Sequence, residues 1–282
     1  MSKVFKAYLA ITVLAVSWGT IPLIIKTSEI TSISLVGIRT FIGSIFLSLF
    51  VIKKGLPVKD LLKPGLILGP LLAIHWVTMF ESIELNSVTV GIGSVFSYPI
   101  FVLIIEKIKG KTLSTNQVLI IIFGFIGLII LLDINYIDSI LGVFYGILSA
   151  ISLSLIITIG EKYSTKLGGL KVAFTQLLVA GVCLFYFTIE GYQWMISNIL
   201  VSLFLGVFLT AIGLSTYWYA VKIIKPLSVS TITYLEPTTG VILGFLVLNE
   251  NLRINQLVGF FIILAVGILQ IINDSKPKSQ ES

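Results

Sequence analysis

Two charged side chains stand where charge is costly. Arg39 and Glu236 are the charged residues deep inside the long apolar runs of this chain. Each costs about 2.5–3.5 kcal/mol at the centre of a membrane helix, so such groups face a bundle interior or a wet cavity. Glu236 stands about ten residues into its run, or roughly 15 Å at helical rise, too deep to reach an interface. Thr233 and Gly240 share its helix face. Arg39 is about seven residues from the end of its run, with Gly43 and Phe46 leaving room around the guanidinium. A direct Arg39–Glu236 pair is one reading; independent roles are the other. His75 is the single histidine and is followed by Trp76. It reads either as an interhelical hydrogen bonder or as a cavity group that titrates near neutrality.

The other candidates are aromatic or hydroxylic. Trp18 opens the stretch Trp18-Gly-Thr-Ile-Pro22 and is too deep for an interfacial belt, whereas Tyr219 fits one. Tyr217, Tyr234, Tyr98 and Ser94 complete the set expected around a central pocket. Enzymatic chemistry lacks its parts. The chain has no G-x-S-x-G elbow, no H-E-x-x-H, no Walker A loop and no paired carboxylates within the runs. A metal site finds no second ligand near His75, and Cys183, the single cysteine, cannot form an intramolecular disulfide. The expectation is a protein that is not an enzyme and carries no cofactor or metal.

What must position these residues is membrane helix. Hydrophobic residues make up 56% of the 282 and charged ones 11%, with a mean hydropathy of +1.07. Ten apolar runs can be counted, at 5–25, 32–52, 64–80, 87–105, 115–132, 139–160, 170–189, 197–221, 226–248 and 254–272. The expected class is an all-α integral membrane protein, one membrane domain over 1–282. Its first five-helix unit is 5–132, its second 139–272, and 273–282 a polar cytoplasmic tail. The N-terminus resembles a signal peptide, but its apolar run is longer than an h-region and is expected to stay.

Charge sets the orientation. Of the 19 Lys and Arg, Arg39 is within a run, and Lys26 and Arg253 lie on odd-numbered connections; the remaining 16 lie on even-numbered connections or at the termini. Glu29, Glu81, Glu84, Asp133, Asp138, Glu190 and Glu250 lie on the odd side. Both termini are therefore expected in the cytoplasm. Topology also accounts for the basic balance without nucleic acid.

One passage occurs twice. Glu84 precedes Pro99 by the same interval that separates Lys222 from Pro237, and the exits Lys111-Thr-Leu-Ser-Thr-Asn-Gln117 and Glu250-Asn-Leu-Arg-Ile-Asn-Gln256 match. Flanking charges are reversed between the copies. An odd number of spans per copy turns the second one over, giving two inverted five-helix repeats, a plan of secondary transporters. Paired prolines Pro99 and Pro237, with nearby glycines, point to interrupted helices at a central cavity. Gly124, Gly127, Gly259 and Gly267 read as packing glycines.

Ten spans in two halves, Trp18-Gly-Thr-Ile-Pro22, Arg39 in the second run, Leu235-Glu236-Pro237 in the ninth and the Glu250–Gln256 exit together resemble the drug/metabolite transporter superfamily, EamA-like branch. The likeness covers about residues 5–272. Lys111 departs from it, since the first-half exit often carries Glu in that group. The resemblance implies a ten-helix fold around a cavity, no organic cofactor, and a secondary transporter of a small organic metabolite (an amino acid or related solute, or a xenobiotic) across the plasma membrane by alternating access. A flippase of a lipid-linked substrate is the alternative, and a membrane-embedded enzyme a weaker one. The partners implied are a small-molecule substrate and the bilayer, with protons as candidate coupling ion through Glu236; oligomeric state is left open.

Overall fold

The computed structural model describes residues 2–54, 58–86, 88–134, 137–248 and 253–275. The Glu250–Leu252 part of the second exit motif, Ser87 and the tail residues 276–282 lie outside the described residues. Among the described residues every regular element is helical. Eight segments are long and apolar enough to cross a membrane: Lys3–Ile25, Ser32–Val51, Leu62–Leu85, Val90–Ile108, Thr115–Leu132, Ile140–Leu167, Ile199–Ile223 and Ile254–Asp274.

The two remaining apolar runs are not among these eight, and each is divided. The seventh is α9 (Gly169–Cys183) followed by α10 (Phe185–Glu190), and the ninth is α14 (Pro226–Ile232) followed by α15 (Leu235–Leu248). The first and fourth are also broken, into α1 (Lys3–Trp18) and α2 (Ile21–Thr27), and into α5 (Val88–Val95) and α6 (Tyr98–Ile108). Proline sets three of these breaks. Its ring clashes with the carbonyl four residues earlier and supplies no amide hydrogen. Four residues before Pro22 is Trp18, the last residue of α1; four before Pro99 is Val95, the last of α5; four before Pro237 is Thr233, the C-cap of α14. The kinks expected at Pro99 and Pro237 are thus full breaks.

The unbroken long helices are α3 (Ser32–Val51), α4 (Val58–Leu85), α7 (Thr115–Leu132), α8 (Ile140–Leu167) and α16 (Ile254–Ser275). Short helices α11 (Tyr192–Ser197) and α12 (Ile199–Leu203) lead into a π-helical stretch, Phe204–Ile212, which continues as α13 (Gly213–Ile223). The paired exits share a cap: Gln117 Oε1 accepts from Ser114 N at 3.0 Å and Gln256 Oε1 from Arg253 N at 2.9 Å. Residues 273–275, expected in the polar tail, belong instead to α16. They are held there because Asp274 accepts from Tyr8, Ser228 and Gln270.

Packing follows a pattern that survives exchange of the two halves. The third run packs on the sixth (α4 on α8) and the eighth on the first (α13 on α1). The third packs on the seventh (α4 on α9) and the eighth on the second (π stretch on α3). Second and seventh (α3, α9), fourth and ninth (α6, α14), and fifth and tenth (α7, α16) pair with one another. In the last pair Gly259 lies against Gly127 O and the Leu131 backbone, too close for any side chain. Gly267 has ordinary room, so the packing expected of it is not required there.

Candidate functional site

A cavity lies where the broken helices meet the long ones. Trp18, Arg39, His75, Tyr98, Tyr217 and Glu236 all line it. Counting its open mouth, it encloses about 660 Å³. A second lobe continues past Glu236 between Ile21, Ile25, Ile83 and Ile92, in the last turns of runs one and three and the first turns of run four.

Each polar group is placed by its own element. Where α1 ends, Trp18 Nε1 donates to Leu209 O at 2.7 Å, an acceptor on the π stretch, and its ring lies 5.8 Å from that of Tyr217. Insertion of π turns frees backbone carbonyls from the regular ladder, and such segments recur at functional sites. One residue on, Thr210 Oγ1 accepts from Arg39 Nε at 2.8 Å. The Arg39 guanidinium stacks 4.1 Å from the centre of the Trp76 ring, a cation–π contact. Its Nη1 has no hydrogen-bond partner, although the residue is only 2% exposed.

His75 is an interhelical hydrogen bonder that also lines the cavity. Its Nδ1 lies 2.7 Å from Ser149 Oγ, and Ser149 Oγ donates back to His75 O at 2.8 Å, tying α4 to α8 while the ring faces the cavity. Tyr98 begins α6, and its hydroxyl bonds Thr233 Oγ1 at the α14–α15 break. Glu236, in the first turn of α15, forms no hydrogen bond or ion pair through its carboxylate among the described residues. The ion pairs described are Lys109–Glu106, Lys111–Glu106, Lys111–Glu161 and Arg253–Asp133. Arg39 and Glu236 therefore share a cavity without pairing directly.

Ser94 and Tyr234 do not line it. Ser94 donates to Val90 O of its own helix and faces Gly146 of α8; Tyr234 packs on Gly124 of α7. The sequence reasoning missed Trp76, Thr210 and Gln176. Gln176 lines the cavity and accepts from Trp218 Nε1 at 2.8 Å. As a lone amide in an apolar run it was the one with a readable signal. Trp218, the neighbour of Tyr219, is fully buried.

The end of the bundle that carries the termini is bound by polar contacts. Lys111 bridges Glu106 at 2.5 Å and Glu161 at 3.0 Å, linking the α6–α7 connection to α8. Partial burial works against the Lys111 charge, but its hydrogen bonds to Glu106 and Glu161 outweigh that and hold its pKa above the ordinary lysine value. Among the described residues no cluster of His, Cys, Asp and Glu could hold a metal.

Membrane-length helices broken around a shared cavity, with charges kept inside it, define a multi-pass membrane protein built like a carrier. The chain belongs to the EamA-like transporter family, whose pattern matches twice, at residues 5–133 and 140–272; this family is a branch of the drug/metabolite transporter superfamily. An uncharacterized transporter of Archaeoglobus fulgidus is 24% identical over 264 residues, covering 92% of this chain and 94% of that one. The uncharacterized transporter YvbV of Bacillus subtilis is 26% identical over 87% of this chain and 83% of its own. A crystal structure with 16% identity superposes with a TM-score of 0.76 over 96% of this chain and 99% of its own, a likeness of fold.

Proposed function

We propose that this chain carries a small organic metabolite (an amino acid or related solute, or a xenobiotic) across the plasma membrane by alternating access, coupled to protons through Glu236. The observation that carries the reading is a carboxylate that has Arg39 as a charged neighbour across the cavity but no hydrogen bond or direct ion pair among the described residues, on a cavity lined from both halves of the chain. A group so placed gains or loses a proton at little structural cost. No hydrogen bond has to be rebuilt when it does.

In this reading all ten runs cross, runs seven and nine as broken helices. The halves 5–132 and 139–272 are inverted repeats, and the exchange-symmetric packing supports them. With five crossings each, an axis in the membrane plane relates them. The Lys and Arg distribution favours both termini in the cytoplasm, along with the residues that follow α16. The polar bridges at Lys111 and Asp274 then close the cytoplasmic side, and the apolar lobe past Glu236 leads outward. Trp18, Arg39, His75, Tyr98 and Tyr217 face the solute.

Two experiments test this. In proteoliposomes, Glu236→Gln should abolish accumulation driven by a pH gradient while solute exchange persists, and Glu236→Asp should retain partial coupling. Unaltered, pH-dependent accumulation by folded Glu236→Gln would end the coupling role. In a Cys183→Ala background, cysteine at Lys53 or Lys166 should be shielded from an impermeant thiol reagent outside, and cysteine at Asp138 should react. The reverse labelling would overturn the orientation.

A further inference from the structure

We propose that Arg39 is the docking point for a carboxylate of the solute, so that the cavity selects compact apolar bodies bearing one carboxylate. The inference rests on the carrier reading of the cavity but is tested by binding alone.

Arg39 is a charge the protein leaves incomplete. A guanidinium stays protonated under any condition the protein meets. Burying it without an anion is expensive, and the usual remedy is a carboxylate in bidentate contact. Here the remedy is absent. Nε is held by Thr210, the guanidinium carbon lies over Trp76, and Nη1 is buried without a partner in a residue that lines the cavity. These two contacts position the group and leave Nη1 unsatisfied. Glu236, the one acid on the same cavity, does not satisfy it, as no ion pair joins them among the described residues.

The walls define the rest of the solute. Leu72, Phe96, Trp18 and Tyr217 offer apolar and aromatic surface. One guanidinium edge suits a single negative charge and two oxygens. A phosphate, with a charge of about −1.5 to −2 near neutrality and three oxygens to satisfy, would need a second cation. Among the described residues lining the cavity there is no second Lys or Arg.

The test is equilibrium binding to the full chain in lipid nanodiscs by calorimetry. The probes are hydrocinnamate and isocaproate, their two amides, and phenethylamine. The wild-type protein should bind the carboxylates about 10–100-fold more tightly than the amides or the amine, the range expected of hydrogen bonds to a charged group. Arg39→Gln should erase that preference while leaving amide affinity unchanged, and Arg39→Lys should keep part of it. Should Arg39→Gln fail to fold, the carboxylate–amide comparison in the wild type still decides. Equal affinity for the two kinds of probe, no carboxylate binding at millimolar concentration, or a preference that survives Arg39→Gln would each overturn the proposal. Carboxylate binding without uptake would sustain it and remove the carrier reading. Uptake of solutes without regard to a carboxylate would do the opposite.

Discussion

The two proline breaks at the centre of the molecule are built alike and equipped differently. In each, a proline ends the preceding helix at the residue four positions upstream, and the residue just before the proline points at the cavity: Tyr98 before Pro99, Glu236 before Pro237. Tyr98 spends its hydroxyl on Thr233, within the other break. Glu236 spends its carboxylate on nothing described. The first break thus acts as a strut that holds the second, and the second presents the reactive group. In the proposed cycle, equal geometry would let the halves exchange roles as the cavity changes side, and unequal chemistry would put the proton on one of them.

The comparison breaks first at its strongest point. Glu236→Gln should eliminate proton-driven accumulation, whereas Tyr98→Phe should leave coupling in place. The latter loses one hydrogen bond, about 0.5–1.5 kcal/mol of stability, read as a lower unfolding temperature. If Tyr98→Phe uncouples transport as completely as Glu236→Gln, the division into strut and proton carrier is wrong.

A second pair of variants sharpens it. A Cβ at Gly19 would stand 2.6 Å from Glu236 O, whereas one at Gly146 would meet the side chains of Ser94 and Ser82. Both alanine substitutions overpack a tight contact and should cost about 1–3 kcal/mol. Gly19→Ala also displaces the backbone that carries the carboxylate. Its coupled uptake should therefore fall several-fold below that of Gly146→Ala at matched stability. Equal uptake by the two would show that the position of Glu236 does not limit coupling.

Much of this was legible beforehand, and unevenly. Run lengths marked the crossing segments because lipid admits little besides apolar helix. Arg39 and Glu236 declared themselves by the cost of charge. The breaks were less legible, since a proline removes a hydrogen bond but does not say whether the helix bends or stops. That difference misplaced Ser94. An unbroken helix would set Ser94 on the face of Tyr98, four residues on, and the stop at Phe96–Ser97 ends that relation. Tyr234 sits in the turn between α14 and α15, where helical facing has no meaning. Trp76 and Thr210 were hidden for another reason. In lipid both faces of a helix are apolar, so composition does not tell cavity from bilayer. The π stretch that presents Leu209 O and Thr210 has no sequence mark that we recognise.

The two exits extend the contrast to the ends of the molecule. Gln117 and Gln256 cap their helices alike, but the first exit adds Lys111, which joins Glu106 and Glu161 across the halves. Lys111 is 45% exposed but Glu106 only 3%, so the bridge is half screened, and Lys111→Gln, which leaves a buried carboxylate short of its closest cation, should cost about 1–3 kcal/mol. The sign of its pH dependence follows from the raised pKa. The bridge contributes fully below the ordinary lysine range and is lost as pH climbs through the higher folded value. Unfolding measured from about pH 6 to 9 should show a constant gap between wild type and Lys111→Gln, closing only under stronger alkali. If the proposed orientation holds, Lys111 ties the cytoplasmic side shut, and Lys111→Gln should shift thiol labelling of cavity cysteines toward reagent added on that side. A gap that varies across the neutral range would assign the bridge to another titrating group, and unchanged labelling would reduce it to a surface contact.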